Sequence, residues 1–470
     1  MENSSHPAKR KNKSTKSDKN NVARSKVSAA RAASLKALRQ VFNGQSLSAV
    51  QPHTTDNLDD ARDRGLANEI VNGVLRWRWQ LEYFVSYLLK KPLKPKDIDV
   101  QLVLLMALYE LNECRTPDYA VINESVELVR KSGKKWAAGL VNAVLRSFTR
   151  EKENLVASIS DDSVSYSHPQ WLVEKVKGDW PADERYGWQQ ILDANNQRPA
   201  FWLRINQLQY SVPQYQQLLA DEGIEFDEVA SSAGQTLADN ALKLSHGIDV
   251  RLLPGFAEGA LSVQDAGAQL IADMLDVGEG NRVLDLCAAP GGKTCHILER
   301  YQMVDNLVAV EVDNQRMQRV SENLRRLKLE SRAELIVADA RDSKNWWDGE
   351  KFDRILIDAP CSASGVIRRH PDIKTLRRET DIGPLVKLQS EILMSAWQML
   401  EAGGELLYVT CSIFKDENQN QVKNFLSHND DATEIKIDAD WGVSCEHGRQ
   451  LFPGERDADG FYFCRIKKTV

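Results

Sequence analysis

From residue 28 to residue 150, apolar side chains return every three or four positions, the spacing that lines one face of a helix. Six such stretches follow one another. Ala29 to Ala33 lead into Leu35, Leu38, Val41 and Phe42. Leu66, Ile70, Val71, Val74 and Leu75 form a second stripe behind an N-cap at Asp59 or Asp60. Trp79, Leu81, Phe84, Val85, Leu88 and Leu89 form a third, closed by Pro92 and Pro95. Ile98, Leu102, Leu105, Met106, Leu108 and Leu111 form a fourth, closed by Pro117. The fifth runs from about Ala120 to Val129 and the sixth from about Trp136 to Phe148. The pattern predicts an all-helical domain over 28–150.

The rhythm then changes twice. Residues 151–165 are polar and predict a linker. Residues 166–255 mix periods and predict a small α+β module. His168-Pro169-Gln170-Trp171 opens a helix, Phe201–Ile205 alternates like a strand, and Val212–Leu219 is helical. Glu225–Ala230 and Ala241–Leu244 are weaker strands. From 256 to 470 short apolar runs alternate with helical patterns: Val283–Leu286, Leu307–Val312, Ala333–Ala338, Phe352–Ile357 and Glu405–Val409, with Phe461–Ile466 as a last antiparallel strand. This predicts an α/β domain around a largely parallel sheet, whose ligands bind at the carboxyl ends of the strands.

Length and composition fit this division. A chain of 470 residues exceeds one ordinary core. No apolar run is long enough to span a membrane, and the N-terminus has no apolar signal segment. Seven cysteines without a Cys-x-x-Cys pair argue for a reducing compartment, the cytoplasm, and against a disulfide framework or a metal site. Residues 1–27 are rich in Lys and Arg, poor in large apolar side chains, and predict a disordered basic tail. The net charge of −6 excludes a nucleic-acid argument from bulk charge. Local basic clusters carry it instead, above all Arg368-Arg369-His370-Pro371-Asp372 with Lys374, Arg377 and Arg378, expected to contact phosphates.

The candidate chemistry lies at predicted strand ends. Cys287-Ala288-Ala289-Pro290-Gly291-Gly292-Lys293-Thr294 is a Gly-rich turn that opens a helix, and helix N-termini attract anions. It is not a P-loop, because Cys287 stands where the first glycine is required, and it lacks the dinucleotide Gly-x-Gly-x-x-Gly. Glu311, ending the next strand, is placed to bond ribose hydroxyls, and Asp339, ending the third, to accept from an adenine amine. An adenosyl ligand with a carboxylate end fits this set, and S-adenosylmethionine is one. Cys361 follows Asp358-Ala359-Pro360, and Cys411 follows Thr410. A thiolate attacking carbon 6 of a pyrimidine makes carbon 5 nucleophilic toward a sulfonium methyl, and a second thiol or a carboxylate can then help release. Asp358 is placed to hydrogen-bond a cytosine edge. Spacing alone does not say which thiol attacks.

These residues resemble the RNA (cytosine-5)-methyltransferases. The resemblance rests on Asp285–Thr294, on Asp358-Ala-Pro-Cys-Ser-Ala-Ser-Gly365, on Thr410-Cys-Ser412 and on Gly365-Val-Ile-Arg-Arg-His-Pro-Asp-Ile-Lys374. Within that family the chain is similar to bacterial 16S ribosomal RNA enzymes that carry a NusB-like helical domain. The resemblance implies a Rossmann-like catalytic domain with residues 287–293 cradling S-adenosylmethionine, Glu311 on its ribose, and Asp339 and Asp358 completing the cofactor and base pocket. It implies Cys411 as nucleophile and Cys361 as the thiol that assists release. It further implies an RRM-like middle module, here without typical RNP aromatics, and 16S rRNA as partner, with no obligate protein partner evident. Two other readings stand beside it: the same chemistry on tRNA, and a non-catalytic RNA-binding protein.

Overall fold

The computed structural model describes residues 28–182, 186–227, 237–304 and 306–469. The expected basic tail lies outside them. The helical stripes become α1 (Ala29–Phe42), α2 (Leu47–Val50), α3 (Ala61–Arg76), α4 (Arg78–Leu88), α5 (Ile98–Glu113), α6 (Asp118–Lys131) and α7 (Ala138–Ala157). Asp60 caps α3, its carboxylate accepting from the N–H groups of Arg62 and Asp63. α5 is the central helix, with Leu102 to Leu108 all buried. Its buried acid, Glu110, is held by a two-point bond from Arg31 on α1, Nε to Oε1 at 3.0 Å.

The polar stretch 151–165, expected as a linker, is largely helical. α7 continues to Ala157, and α8 (Asp162–Ser165) follows under an Asp161 cap. Leu155 is buried and continues the apolar face of Phe148. Glu151 to Asn154 are one solvated turn of that helix, which imitates a linker in sequence.

The middle region divides differently from expectation. α9 (Gln170–Asp179) and α10 (Trp188–Asn196) share a core with Ile367, Ile382, Ile413, Phe414 and Phe452 of the C-terminal domain. The small sheet has the order β2-β1-β3, antiparallel throughout, with β1 (Phe201–Ile205), β2 (Ala241–Leu244) and β3 (Leu261–Val263), covered by α11 (Val212–Asp221). β3 therefore carries this module past residue 255. Of the expected strand at 225–230, Phe226 makes one bridge to Leu244, and 228–230 lie outside the described residues.

The C-terminal domain runs α12 (Ala266–Leu275), β4 (Val283–Leu286), α13 (Gly292–Arg300), β5 (Leu307–Glu311), α14 (Asn314–Leu327), β6 (Ala333–Val337), β7 (Phe352–Asp358), α15 (Ile373–Leu376), α16 (Ile382–Met399), β8 (Leu400–Thr410) and α17 (Gln419–His428). β9 (Ala432–Ile435), β10 (Val443–Ser444), β11 (Arg449–Leu451) and β12 (Phe461–Lys468) complete it. The sheet order is β10-β11-β12-β8-β7-β4-β5-β6, with β9 also on β12. Strands β4 to β8 pair in parallel and β12 joins β8 antiparallel, as expected. Apolar clusters fill both faces. From β4 the chain winds outward through β5 and β6, then returns to place β7 on the other side of β4. That reversal opens a crevice past the ends of β4 and β7. Among the described residues no helix is long and apolar enough to cross a membrane.

The basic run after Cys361 is largely buried, contrary to its expected exposure to phosphate. Arg368 and Lys374 are each 1% exposed. Lys374 Nζ donates to the carbonyls of Arg76 and Ser167 and to Asn196 Oδ1, at 2.6, 2.8 and 2.8 Å. Arg76 donates to the carbonyl of Arg368, and the N–H of Leu47 to Asp372. This run clamps the helical domain to the catalytic one; only Arg378 and His370 remain exposed.

Candidate active site

The crevice collects the candidate residues. Asp285 lies within β4, Glu311 ends β5, Asp358 ends β7, and Cys411 directly follows β8. The turn after β4 carries two left-handed residues, Cys287 (φ 63°) and Gly291 (φ 94°). Glycine is needed at 291 for a second reason: a Cβ there would lie 3.0 Å from Val320 Cα on α14. The helix that follows starts at Gly292, and no side chain caps its first N–H groups. Burial pushes the Cys287 thiol up, so it stays protonated, and its part is the backbone turn.

Two buried acceptors here lack partners. Thr294 donates to Asp285 Oδ2 at 2.6 Å, while Oδ1 has none. Glu311 Oε1 accepts from the N–H of Asp313 and from Arg316; its Oε2 has no partner. Burial, with the charges of Asp358 and Glu311, pushes Asp285 up to about 7. An orphaned buried oxygen is costly, and a ligand bearing hydroxyl or ammonium groups would satisfy both. Asp339, two residues past β6, is bound by Arg341 at 2.6 Å, which lowers its carboxyl pKa; Arg341 also holds Glu391.

The thiols meet: Cys361 Sγ and Cys411 Sγ are 3.4 Å apart. The hydrogen bond to Cys411, together with burial, pushes Cys361 well above the usual thiol range. Cys361 therefore holds its proton more tightly than a free thiol. Lys293 reaches out of the Gly-rich turn to an ion pair with Asp358, and its ammonium lies 5.8 Å from the centre of the Phe461 ring. Burial works against its charge, but Asp358 and then Cys411 outweigh it, and the Lys293 pKa is raised.

One buried glutamate aligns the two cysteine loops. Glu417 accepts from the N–H of Ser362 (2.7 Å), its hydroxyl (2.6 Å), the Ser412 hydroxyl and Gln389 (3.1 Å). Each catalytic-candidate cysteine is followed by one of these serines, so the repeated Cys-Ser pair was the available signal for a residue the sequence reading missed. Gly365 closes the arrangement: its N–H bonds the carbonyl of Cys411, and a Cβ would stand 2.2 Å from the Gly460 oxygen. Arg204 on β1 was also missed. Fully buried, it pairs with Glu299 on α13 and donates to the carbonyl of Gly292 at 2.7 Å, so the small module braces the Gly-rich turn.

Three family models match in series: the NusB family over 28–150, the RsmF/B-like ferredoxin-like domain over 168–251, and the 16S rRNA methyltransferase RsmB/F over 272–467. A Pseudomonas putida protein named ribosomal RNA small subunit methyltransferase B is 46% identical over 442 residues, covering 94% of this chain and 98% of that one. The chain belongs to the ribosomal RNA small subunit methyltransferase B family. A Vibrio cholerae member is likewise 46% identical, over 93% of this chain and 97% of its own. Membership makes the protein an S-adenosylmethionine-dependent rRNA methyltransferase, so a purely RNA-binding role is excluded. Solved structures share the fold at lower identity. PH0851 superposes with a TM-score of 0.77 at 22% identity, over 94% of this chain and 99% of that one. NSun6 from Pyrococcus horikoshii, solved with SFG, gives 0.55 at 19%, over 64% of this chain and 98% of that one.

Proposed function

We propose that this methyltransferase acts on carbon 5 of a cytosine in 16S rRNA, through a transient bond between Cys411 and carbon 6. The observation that carries the reading is the pair of thiols 3.4 Å apart, with the Lys293–Asp358 ion pair beside them. When bound, S-adenosylmethionine supplies an electrophilic methyl group on a sulfonium. Residues 287–293 and the first N–H groups of α13 would receive its carboxylate. Asp285 Oδ1 would accept from its ammonium, Glu311 Oε2 from its ribose and Asp339 from its adenine amine.

The cytosine must leave its stack to reach the crevice. Asp358 would accept from its amine and balance the positive character that develops there. The Lys293 cation stands beside Cys411, while the Cys361 thiol is held well above the usual thiol range. This asymmetry supports Cys411 as the attacking sulfur. At release the carbon 6–sulfur bond breaks, the electron pair returns to Cys411, and that sulfur takes the Cys361 proton. The Cys361 sulfur so freed would accept the carbon 5 proton, which leaves both thiols as they began. Incubating hypomethylated small-subunit rRNA with a labelled methyl donor should yield 5-methylcytosine on nucleoside digestion. A labelled base of any other kind would refute the proposal.

A further inference from the structure

The helical domain carries a second concave surface, far along the chain from the cysteines. A groove of about 1060 Å³ runs between the end of α4, the segment 89–97 and α7. Its floor is apolar, built from Leu88, Leu93, Leu140 and Val144. Trp136 stands at its edge with 59% of its surface exposed, although Ala137 beside it is buried. Four lysines occur within 90–96: Lys90, Lys91, Lys94 and Lys96, all exposed. Pro92 follows the end of α4, and Pro95 opens a single 3-10 turn, Pro95–Asp97, so the segment between α4 and α5 is not an α-helix.

The charge is one-sided. Asp97 is the only acid lining the groove, and Lys134 already neutralises it at 2.8 Å. No ion pair engages Lys90, Lys91, Lys94 or Lys96 among the described residues. An apolar floor with an exposed indole suits the face of an unstacked base, and free ammonium groups around it suit the phosphates on either side. A duplex offers phosphates but no free base face. We infer that this groove binds a single-stranded segment of the RNA substrate, stacking a base on Trp136 and pairing its phosphates with Lys91, Lys94 and Lys96. The inference rests on the reading of the chain as an RNA-modifying enzyme and extends it to a docking site outside the active crevice.

The test uses the full chain and a fluorescein-labelled decauridine, followed by anisotropy, with an RNA duplex and a polyglutamate peptide as competitors. Trp136→Ala should weaken decauridine binding about tenfold, and Trp136→Phe, which keeps a ring, should recover most of it. The double variant Lys94→Glu/Lys96→Glu should reduce the slope of log affinity against log salt by about 1 to 2. Thermal melts and S-adenosylmethionine binding check that each variant is folded. Wild-type affinity and salt slope in these variants would overturn the inference. So would preferential displacement by polyglutamate, which would give the groove to an acidic protein, or by the duplex. Formation of 5-methylcytosine by the unaltered protein tests the underlying reading separately. If it forms while decauridine ignores the substitutions, the groove alone is refuted.

Discussion

At the scale of single residues, two cysteines alike in sequence become unlike in structure. Both end apolar strands and both precede serine, and nothing in that pattern ranks them. The difference comes from what faces them: Lys293, drawn in by Asp358, adds a cation near Cys411, whereas the hydrogen bond to the other sulfur holds the Cys361 thiol above its usual range. In the proposed mechanism Asp358 would serve the substrate base as well as the lysine it pairs with. Asp358→Asn should lower kcat about 10²–10⁴-fold while cofactor affinity changes little, measured by single-turnover methylation and equilibrium dialysis. A second prediction concerns Asp285. Its folded value of about 7 lies above the ordinary 3.8, so the folded protein holds that proton more tightly than the unfolded chain. Stability from this group is full below about pH 4 and is lost as pH rises to about 7. Urea unfolding across that window should show wild type losing stability relative to Asp285→Asn; parallel curves would exclude the effect.

At the scale of elements, hydrophobic periodicity was enough for the six long helices and for β4 to β8, because the helices bury a whole face and the strands, apart from the half-exposed edge strand β6, are largely buried. It failed where an element is short or its visible side is solvated. The last turns of α7 begin with the charged run Arg150 to Glu153, and Leu155 is their single buried residue. β3 is three residues long and runs straight into α12. Asp285, Glu311, Asp358 and Cys411 lie at or just past the carboxyl ends of their strands, as the sequence pattern predicts, because ligand-facing residues follow strands in this architecture. The second layer was hidden, since Glu417 gains its meaning only when Ser362 and Ser412 converge on it from different loops. Glu417→Ala leaves several buried donors unsatisfied. It should lower unfolding free energy by roughly 2–4 kcal/mol in urea titration and reduce methylation more than cofactor binding.

At the scale of the whole molecule, the three modules are braced against one another. Arg204 ties the small sheet to the Gly-rich turn, and Lys374 ties the helical domain to the loop that follows Cys361. The interface was illegible because a run of Arg, Lys and His reads as phosphate-binding until its burial is seen. An ammonium with three acceptors is an interior clamp instead. Lys374→Ala should speed amide exchange at Leu47 and Gln80, which bond Asp372 and Ser167 across this junction, by at least about tenfold, the equivalent of about 1.4 kcal/mol. Unchanged exchange there would mean that the domains are held by other contacts. The central claim, that one thiol attacks and the other releases, has a direct measurement. Wild type, Cys411→Ala and Cys361→Ala are incubated with hypomethylated small-subunit rRNA and S-adenosylmethionine and run on denaturing gels. The account predicts no adduct and no turnover for Cys411→Ala, and a persistent protein–RNA adduct for Cys361→Ala. An adduct with Cys411→Ala and none with Cys361→Ala would contradict it.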